Sequence, residues 1–296
     1  MSGLASQLER FGSDRRRRAV EDGLIVAGLL FAGYLLVVVA PTSGTFGFDA
    51  YAYWRVGSGD PYGQTAGALG AFTYTPVMAQ LFSVFQLLPW PVFLLLWEAA
   101  LVGTLIWLSG PRLRTFLALL AFPPVALELY HGNVHLLIAA AIVLGFRHPA
   151  AWTFPALTKV TPAVGVLWFP FRRSWRPLAI GCLTTGILVA VSFVADPALW
   201  ADWLASVGAT AQGSPLNQVS IGIPLWLRLP LAIGVLWWGA RSDRAWTVPV
   251  AATLALPVLW VSGLSVLAAV PATLRLLGQG TGPGTGTPPR SSVAGS

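Results

Sequence analysis

The chain has 296 residues, 55% of them apolar, and its 18 Lys+Arg and 11 Asp+Glu make up only 10% of the sequence, against about 25% charged residues in a soluble domain, so a water-soluble globule is excluded. With a mean hydropathy of +0.69 and 14 Trp, its solvent is largely lipid, and at about 20 residues per crossing the length allows about ten spans in one polytopic unit. The net charge of +7 is no nucleic-acid signal, because 17 of the 18 basic residues are Arg set singly or in short clusters between apolar runs, a pattern that reads as topology.

The polar tail 1–22, with Arg10 and Arg15 to Arg18, reads as cytoplasmic, and the apolar run 23–40 as a first span leading outward. That run is long enough to stay as an anchor, and no cleavable signal peptide is evident. The stretch 41–90 is expected to be an external loop. Its first part is rich in Gly and aromatic residues and holds Asp49, Arg55 and Asp60. Residues 76–88 are apolar but shorter than a bilayer crossing, with Gln80, Ser83 and Gln86 at helical spacing, and are expected to lie in the interface. Counting them as a span would reverse the following segment and put Arg112 and Arg114 outside.

From there 91–109 runs inward to Arg112 and Arg114, 115–129 runs outward to the turn His131-Gly132-Asn133, and 134–146 returns to Arg147. Residues 150–171 carry Pro155, Lys159 and Pro162 between the basic flanks Arg147 and Arg172-Arg173-Arg176. They read as a broken hairpin with Lys159 at its external tip, tolerated where protein encloses the backbone. Then 178–195 leads to a second external loop, 196–220, that begins with an amphipathic stretch. Span 221–240 returns to Arg241 and Arg244, and 246–277 divides into two spans ending at Arg275. The expectation is an all-α transmembrane domain over 23–277, followed by a disordered tail, 278–296, rich in Gly, Pro, Ser and Thr. The lone Cys182 excludes an intrachain disulfide and a cysteine metal cluster.

On this path fifteen basic residues fall inside, and Arg55, Lys159 and Arg228 are the exceptions. Charge near a membrane core is costly, so each exception is a functional candidate. Lys159, the only lysine, and Arg228, within an apolar run, suit a phosphate at the outer leaflet, the one as a point charge and the other as a planar fork. The alternatives are that Arg228 snorkels to headgroups and that Lys159 ends a half-helix. Asp49 follows the first span among Phe46, Phe48, Tyr51, Tyr53 and Trp54. It reads either as a general base for an incoming hydroxyl or as a helix N-cap. Among the other external acids, Asp60 precedes Pro61 as turn chemistry does, and Asp196 and Asp202 lie on an amphipathic face. His131 and His135 share a spacing but have no third ligand in reach, so no metal is expected and a polar cavity lining is. Glu98 and Glu128 sit toward span ends, Glu98 as a buried hydrogen-bonding group. No Walker loop, dinucleotide fingerprint or nucleophile elbow is present.

In order along the chain stand Asp49, Gly59-Asp60-Pro61-Tyr62, Phe72-Thr73-Tyr74-Thr75-Pro76, His131-Gly132-Asn133, Thr158-Lys159-Val160-Thr161-Pro162 with Arg172-Arg173, Asn217-Gln218-Val219-Ser220 with Arg228, and Leu256-Pro257-Val258-Leu259-Trp260. This ordered set, over about 45–265, resembles glycosyltransferase family 87, the actinobacterial polyprenyl-phosphate-mannose-dependent mannosyltransferases of the GT-C class. The resemblance implies a GT-C-like fold and Asp49 as catalytic base. It places Lys159, Asn217, Gln218 and Arg228 near the donor. Apart from the resemblance, a phosphate leaving group needs positive charge, which Lys159, Arg228 and Arg55 could supply, and Tyr53, Tyr62, Tyr74, His131, Asn133, Asn217 and Gln218 are expected to line the substrate cavity. The donor would be a polyprenyl-phosphate-linked sugar in the outer leaflet, with no cofactor, and the acceptor a glycolipid or polysaccharide. Only Pro257 and Trp260 match the family's late motif, and His131-Gly132-Asn133 matches part of its Gly-Gln-x-Asn turn. A non-catalytic lipid-binding or transport protein on the same scaffold is the alternative.

Overall fold

The computed structural model describes residues 2–213 and 221–278. Asn217 and Gln218, and all of the expected tail beyond Gly278, lie outside them. Among the described residues the chain is all-helical, with no β-strand.

Helix α1 (Ser2–Gly33) continues through a π-helical stretch, Tyr34–Val39, into α2 (Ala40–Ser43). The first crossing is therefore the far part of a longer helix, Asp14–Ser43, and it begins nearer the N-terminus than the apolar run alone indicates. After Gly44, in the left-handed region, come α3 (Phe48–Arg55), α4 (Pro76–Phe82) with a 3-10 extension Ser83–Leu87, and α5 (Trp90–Ser109). Then follow α6 (Leu113–Leu120), α7 (Pro123–His131) and α8 (His135–Gly145). The expected hairpin is a 3-10 turn Pro149–Trp152, α9 (Thr153–Thr158), a second 3-10 stretch Thr161–Leu167 and α10 (Trp168–Phe171), turning at Lys159 and Val160 as the sequence indicates. The chain closes with α11 (Trp175–Ala195), α12 (Pro197–Gly213), α13 (Leu225–Arg241), α14 (Thr247–Leu254), a 3-10 stretch Ser262–Ala268 and α15 (Ala269–Gly278).

Three helices, Asp14–Ser43, Trp90–Ser109 and Trp175–Ala195, are long and apolar enough to cross a membrane, and a fourth crossing is available if α6 and α7, bent by 72°, act together. This corrects the expectation of about ten long spans. The reason is proline: Pro123 and Pro124 break 115–129, and Pro155 and Pro162 break 150–171, each removing a backbone donor and clashing with the preceding turn. Several of the short pieces are packed inside, although α6 has no buried residue. In α8, Leu136, Ile138, Ala139, Ile142 and Val143 are all buried. Long helices cover the outside, and only 11% of the apolar window of α1 or of α11 is buried. Much of the broken backbone is thus enclosed by protein while the long helices turn apolar surface outward, as a chain in lipid would require.

The contacts define two ends. At one, Arg114 pairs with Glu21 at 3.1 Å and Asp22 at 3.0 Å, and Arg275 donates to the carbonyls of Ser109 at 2.7 Å and Leu108 at 2.5 Å, closing the C-terminus of α5. At the other, Gly47 N donates to Tyr130 O at 2.9 Å, Trp54 Nε1 to Leu88 O at 2.8 Å, Thr75 Oγ1 to Leu157 O at 2.7 Å, Gln80 Nε2 to Ser192 O at 3.2 Å and Trp203 Nε1 to Thr73 O at 3.3 Å. Both ends of 76–88 are tied there, so this segment does not cross the molecule. Arg112 and Arg114 stay at the end opposite Asp49.

Candidate active site

Asp49 lies in the first turn of α3, whose N-cap is Gly47 at φ +71°, with no side-chain cap bond. The capping alternative for Asp49 is therefore not met. Its carboxylate instead reaches 84 residues along the chain: Asn133 Nδ2 donates to Asp49 Oδ2 at 2.6 Å. Tyr53, one turn further along α3 and on the same face, stands with its hydroxyl 2.7 Å from that of Tyr74. One of the two donates to the other, and the remaining hydroxyl proton faces Asn133 Oδ1, which lies 3.3 Å from Tyr53 OH and 3.5 Å from Tyr74 OH. Tyr62 OH donates to Tyr74 O at 2.9 Å and so holds this wall from behind.

The turn that presents Asn133 is fixed on three sides. Gly132 has φ +66°, and a Cβ there would stand 2.7 Å from that of Ala50 and 3.0 Å from Glu98 Oε1, so only glycine fits. Trp97 Nε1 donates to Gly132 O at 2.7 Å. Glu128, fully buried, accepts from the backbone N–H of His135 at 2.5 Å and of Leu136 at 3.2 Å and pairs with His135 Nδ1 at 2.8 Å. These amides open α8, where a carboxylate is favoured by both unpaired donors and helix dipole. In the sequence Glu128 carries little signal beyond being a glutamate seven residues before a histidine, across a glycine turn.

Lys159 completes the cluster. Its Nζ lies 5.4 Å from the centroid of the Tyr74 ring, and it feels the charges of Asp49 and Glu128 without a direct ion pair among the described residues. The following residue, Val160, has φ +56° and ψ −67°, and Thr161 N donates to Lys159 O at 2.7 Å. That is a γ-turn of the strained hand, held by a β-branched residue, and such strain concentrates where a ligand clamp is set.

Burial pushes the Asp49 carboxyl above its ordinary value. The positive fields of His131 and Lys159 and the Asn133 hydrogen bond oppose this, and Glu128 adds to the rise. The product is a half-buried carboxylate beside an ammonium group, walled by tyrosines.

The remaining cations are placed differently. Arg55 is half-buried and lies against Gly70, where a Cβ would meet its Cδ and one terminal nitrogen at 3.2 Å. Arg228, only 4% exposed, donates Nε to Ile223 O at 2.7 Å, one terminal nitrogen to Leu254 O at 2.7 Å and Leu256 O at 2.9 Å, and the other to Pro257 O at 3.2 Å. It does not snorkel. Of five N–H donors four are engaged, so a bidentate grip on phosphate would require giving up carbonyl bonds. Asp60 accepts from Tyr62 N at 2.9 Å, and Asp196 caps α12 through Leu199 N at 3.0 Å, both as turn and cap residues do. Of the remaining cavity residues, His131 packs its ring edge-on against Tyr130, and Asn217 and Gln218 are outside the described residues.

A family model described as "Glycosyltransferase family 87" matches residues 72–279, about 70% of the 296-residue chain. The chain belongs to glycosyltransferase family 87. Membership indicates a membrane glycosyltransferase with sugar donor and acceptor substrates, in keeping with the apolar helices. Neither the curated proteins nor the solved structures gave a match. Tyr74, His131, Asn133, Lys159 and Arg228 fall within the family match, whereas Asp49, Tyr53, Arg55 and Tyr62 precede it. The fold joins the two sets at the Asp49 to Asn133 hydrogen bond.

Proposed function

We propose that this family 87 glycosyltransferase moves a hexosyl unit, mannosyl by family likeness, from a polyprenyl-phosphate donor to a glycolipid or polysaccharide on the extracytoplasmic side of the membrane. Asp49 takes the proton of the acceptor hydroxyl, whose oxygen bonds to the anomeric carbon. The bond from that carbon to the donor phosphate oxygen breaks, and the phosphate leaves with the electron pair. Positive charge is needed where that negative charge develops, and Lys159 supplies it. Arg55 adds a cation at the loop, and Arg228 braces the wall with one N–H to spare. No cofactor takes part. On this reading the domain is GT-C-like, with both termini cytoplasmic and 41–90 and 196–220 external.

The observation that supports this most is the joint placement of Asp49 and Lys159. Both are half-buried in one tyrosine-walled cluster, close enough for their charges to interact yet not neutralised by a direct pair. A base and a cation in one cluster are the two groups that deprotonation of the acceptor and departure of a phosphate call for. The test is transfer of label from radiolabelled polyprenyl-phosphate mannose to lipid products in membranes carrying the protein. Asp49→Asn is expected to remain folded and to lose turnover by ~10²-fold or more, the usual contribution of a general base. Retained turnover in a folded Asp49→Asn protein would remove the base and favour a non-catalytic lipid-binding or transport role.

A further inference from the structure

Asn133 has a single possible amide orientation. Val134 N–H, which can only donate, points at one end of the side-chain amide at 2.7 Å, and that end must be Oδ1. The Tyr53 and Tyr74 hydroxyls face the same oxygen. The NH2 group is therefore the end turned to Asp49 Oδ2 at 2.6 Å. An amide fixed this way favours the ionised carboxylate over the neutral acid, because the bond it donates is stronger to a charged acceptor. It also occupies Oδ2, leaving Oδ1 of Asp49 for a substrate hydroxyl. The turn holding Asn133 is itself locked by the left-handed Gly132, by Trp97 and by the buried Glu128 at the start of α8.

Resting on the reading of Asp49 as the base, we propose that Asn133 is a positioning residue that keeps Asp49 ionised and aims its free oxygen at the acceptor, and is not a sugar-contacting residue of the cavity. The charged and titratable groups around Asp49 are Tyr53 on its own helix, Glu128 and His131 on α7, His135 on α8, Lys159 after α9 and Tyr74 before α4, with Glu98 of α5 behind Gly132. None of these donates a hydrogen bond to the carboxylate among the described residues; Asn133 alone does.

The test is Asn133→Asp, which is nearly isosteric. Val134 N–H and the one tyrosine hydroxyl proton left to face Oδ1 favour the ionised form of the new carboxylate, so the single proton shared by the two acids sits on Asp49 and disables it. Turnover with radiolabelled polyprenyl-phosphate mannose is expected to fall at least tenfold below the acid limb. That limb is expected to move up by about one pH unit or more, with turnover recovering at higher pH and donor KM within twofold of wild type. A merely structural role predicts lower thermal stability and no movement of the limb. An unmoved limb in folded Asn133→Asp overturns the proposal. Should that variant unfold, Asn133→Ala carries the same test, since losing the donor also raises the limb, and an unmoved limb there is equally fatal. Asp49→Asn is assayed alongside: its inactivity with an unmoved limb in the Asn133 variants sinks only the positioning role, whereas its retained turnover sinks the base reading itself.

Discussion

Asp49 illustrates how opposing influences set a functional pKa. Burial is the largest and raises it from 3.8, while His131, Lys159 and Asn133 hold it down. Because the folded value lies above the unfolded one, the native state binds more protons between the two. The linked stability is full below the unfolded value and falls as pH rises through the folded value, after which it stays constant. Two outcomes are expected: the acid limb of turnover lies above the ordinary carboxylate range, and wild type in detergent loses thermal stability relative to Asp49→Asn as pH rises through that range. A wild-type advantage that grew with pH would mean that the carboxylate is stabilised by its surroundings. Asp49 could be picked from the sequence because it is an acid among aromatics beyond the first span. Asn133 could be singled out as part of a polar turn but not as the partner of Asp49, since nothing in the 83 residues between them encodes which polar turn will close on it; only the fold brings Asn133 to it.

Among the elements, α13 and α14 are joined by one buried side chain. Arg228 satisfies the carbonyls of Leu254 and Leu256 at the end of α14, that of Pro257 beyond it, and Ile223 O ahead of α13. Buried carbonyls left without a donor cost about 1–3 kcal/mol each. Arg228→Ala is expected to destabilise by several kcal/mol, and Arg228→Lys by less, since an ammonium keeps three donors but not the planar fork. Thermal unfolding in detergent measures this. A donor clamp would instead give unchanged unfolding and a raised donor KM. The sequence flagged Arg228 because its charge sits in an apolar run, yet the same signal serves a ligand or a backbone break. The run 254–257, where the helix stops, was legible only as a proline. Element identity was read well where a run was uninterrupted, as in α5 and α11, and poorly where prolines cut it, as in α6 and α7. Hydropathy measures how apolar a stretch is and not whether its backbone can stay helical.

For the whole molecule, the expected partition of basic residues can be set beside the pattern of contacts. The fifteen-to-three division of basic residues sorts the chain into an Arg-rich and an Arg-poor side. The contacts then gather Glu21, Asp22, Arg114 and Arg275 at one end, and the 41–90 segment, Tyr130 to Asn133, Leu157 and the start of α12 at the other. Positive residues stay on the cytoplasmic side, so the Asp49 end is expected outside. In a Cys182→Ser background, a cysteine placed at the exposed Ser58 should react with a membrane-impermeant maleimide in intact cells. One at the exposed Ser174, beside the Arg172 to Asp243 pair, should react only after permeabilisation. The two positions test one rigid arrangement, because the same contacts that put Ser58 near Asp49 tie that end together. The reverse labelling would place the cluster in the cytoplasm, where a lipid-linked sugar of the outer leaflet cannot reach Asp49 and Lys159, and the site would then have to draw on a donor from the inner leaflet or the cytosol.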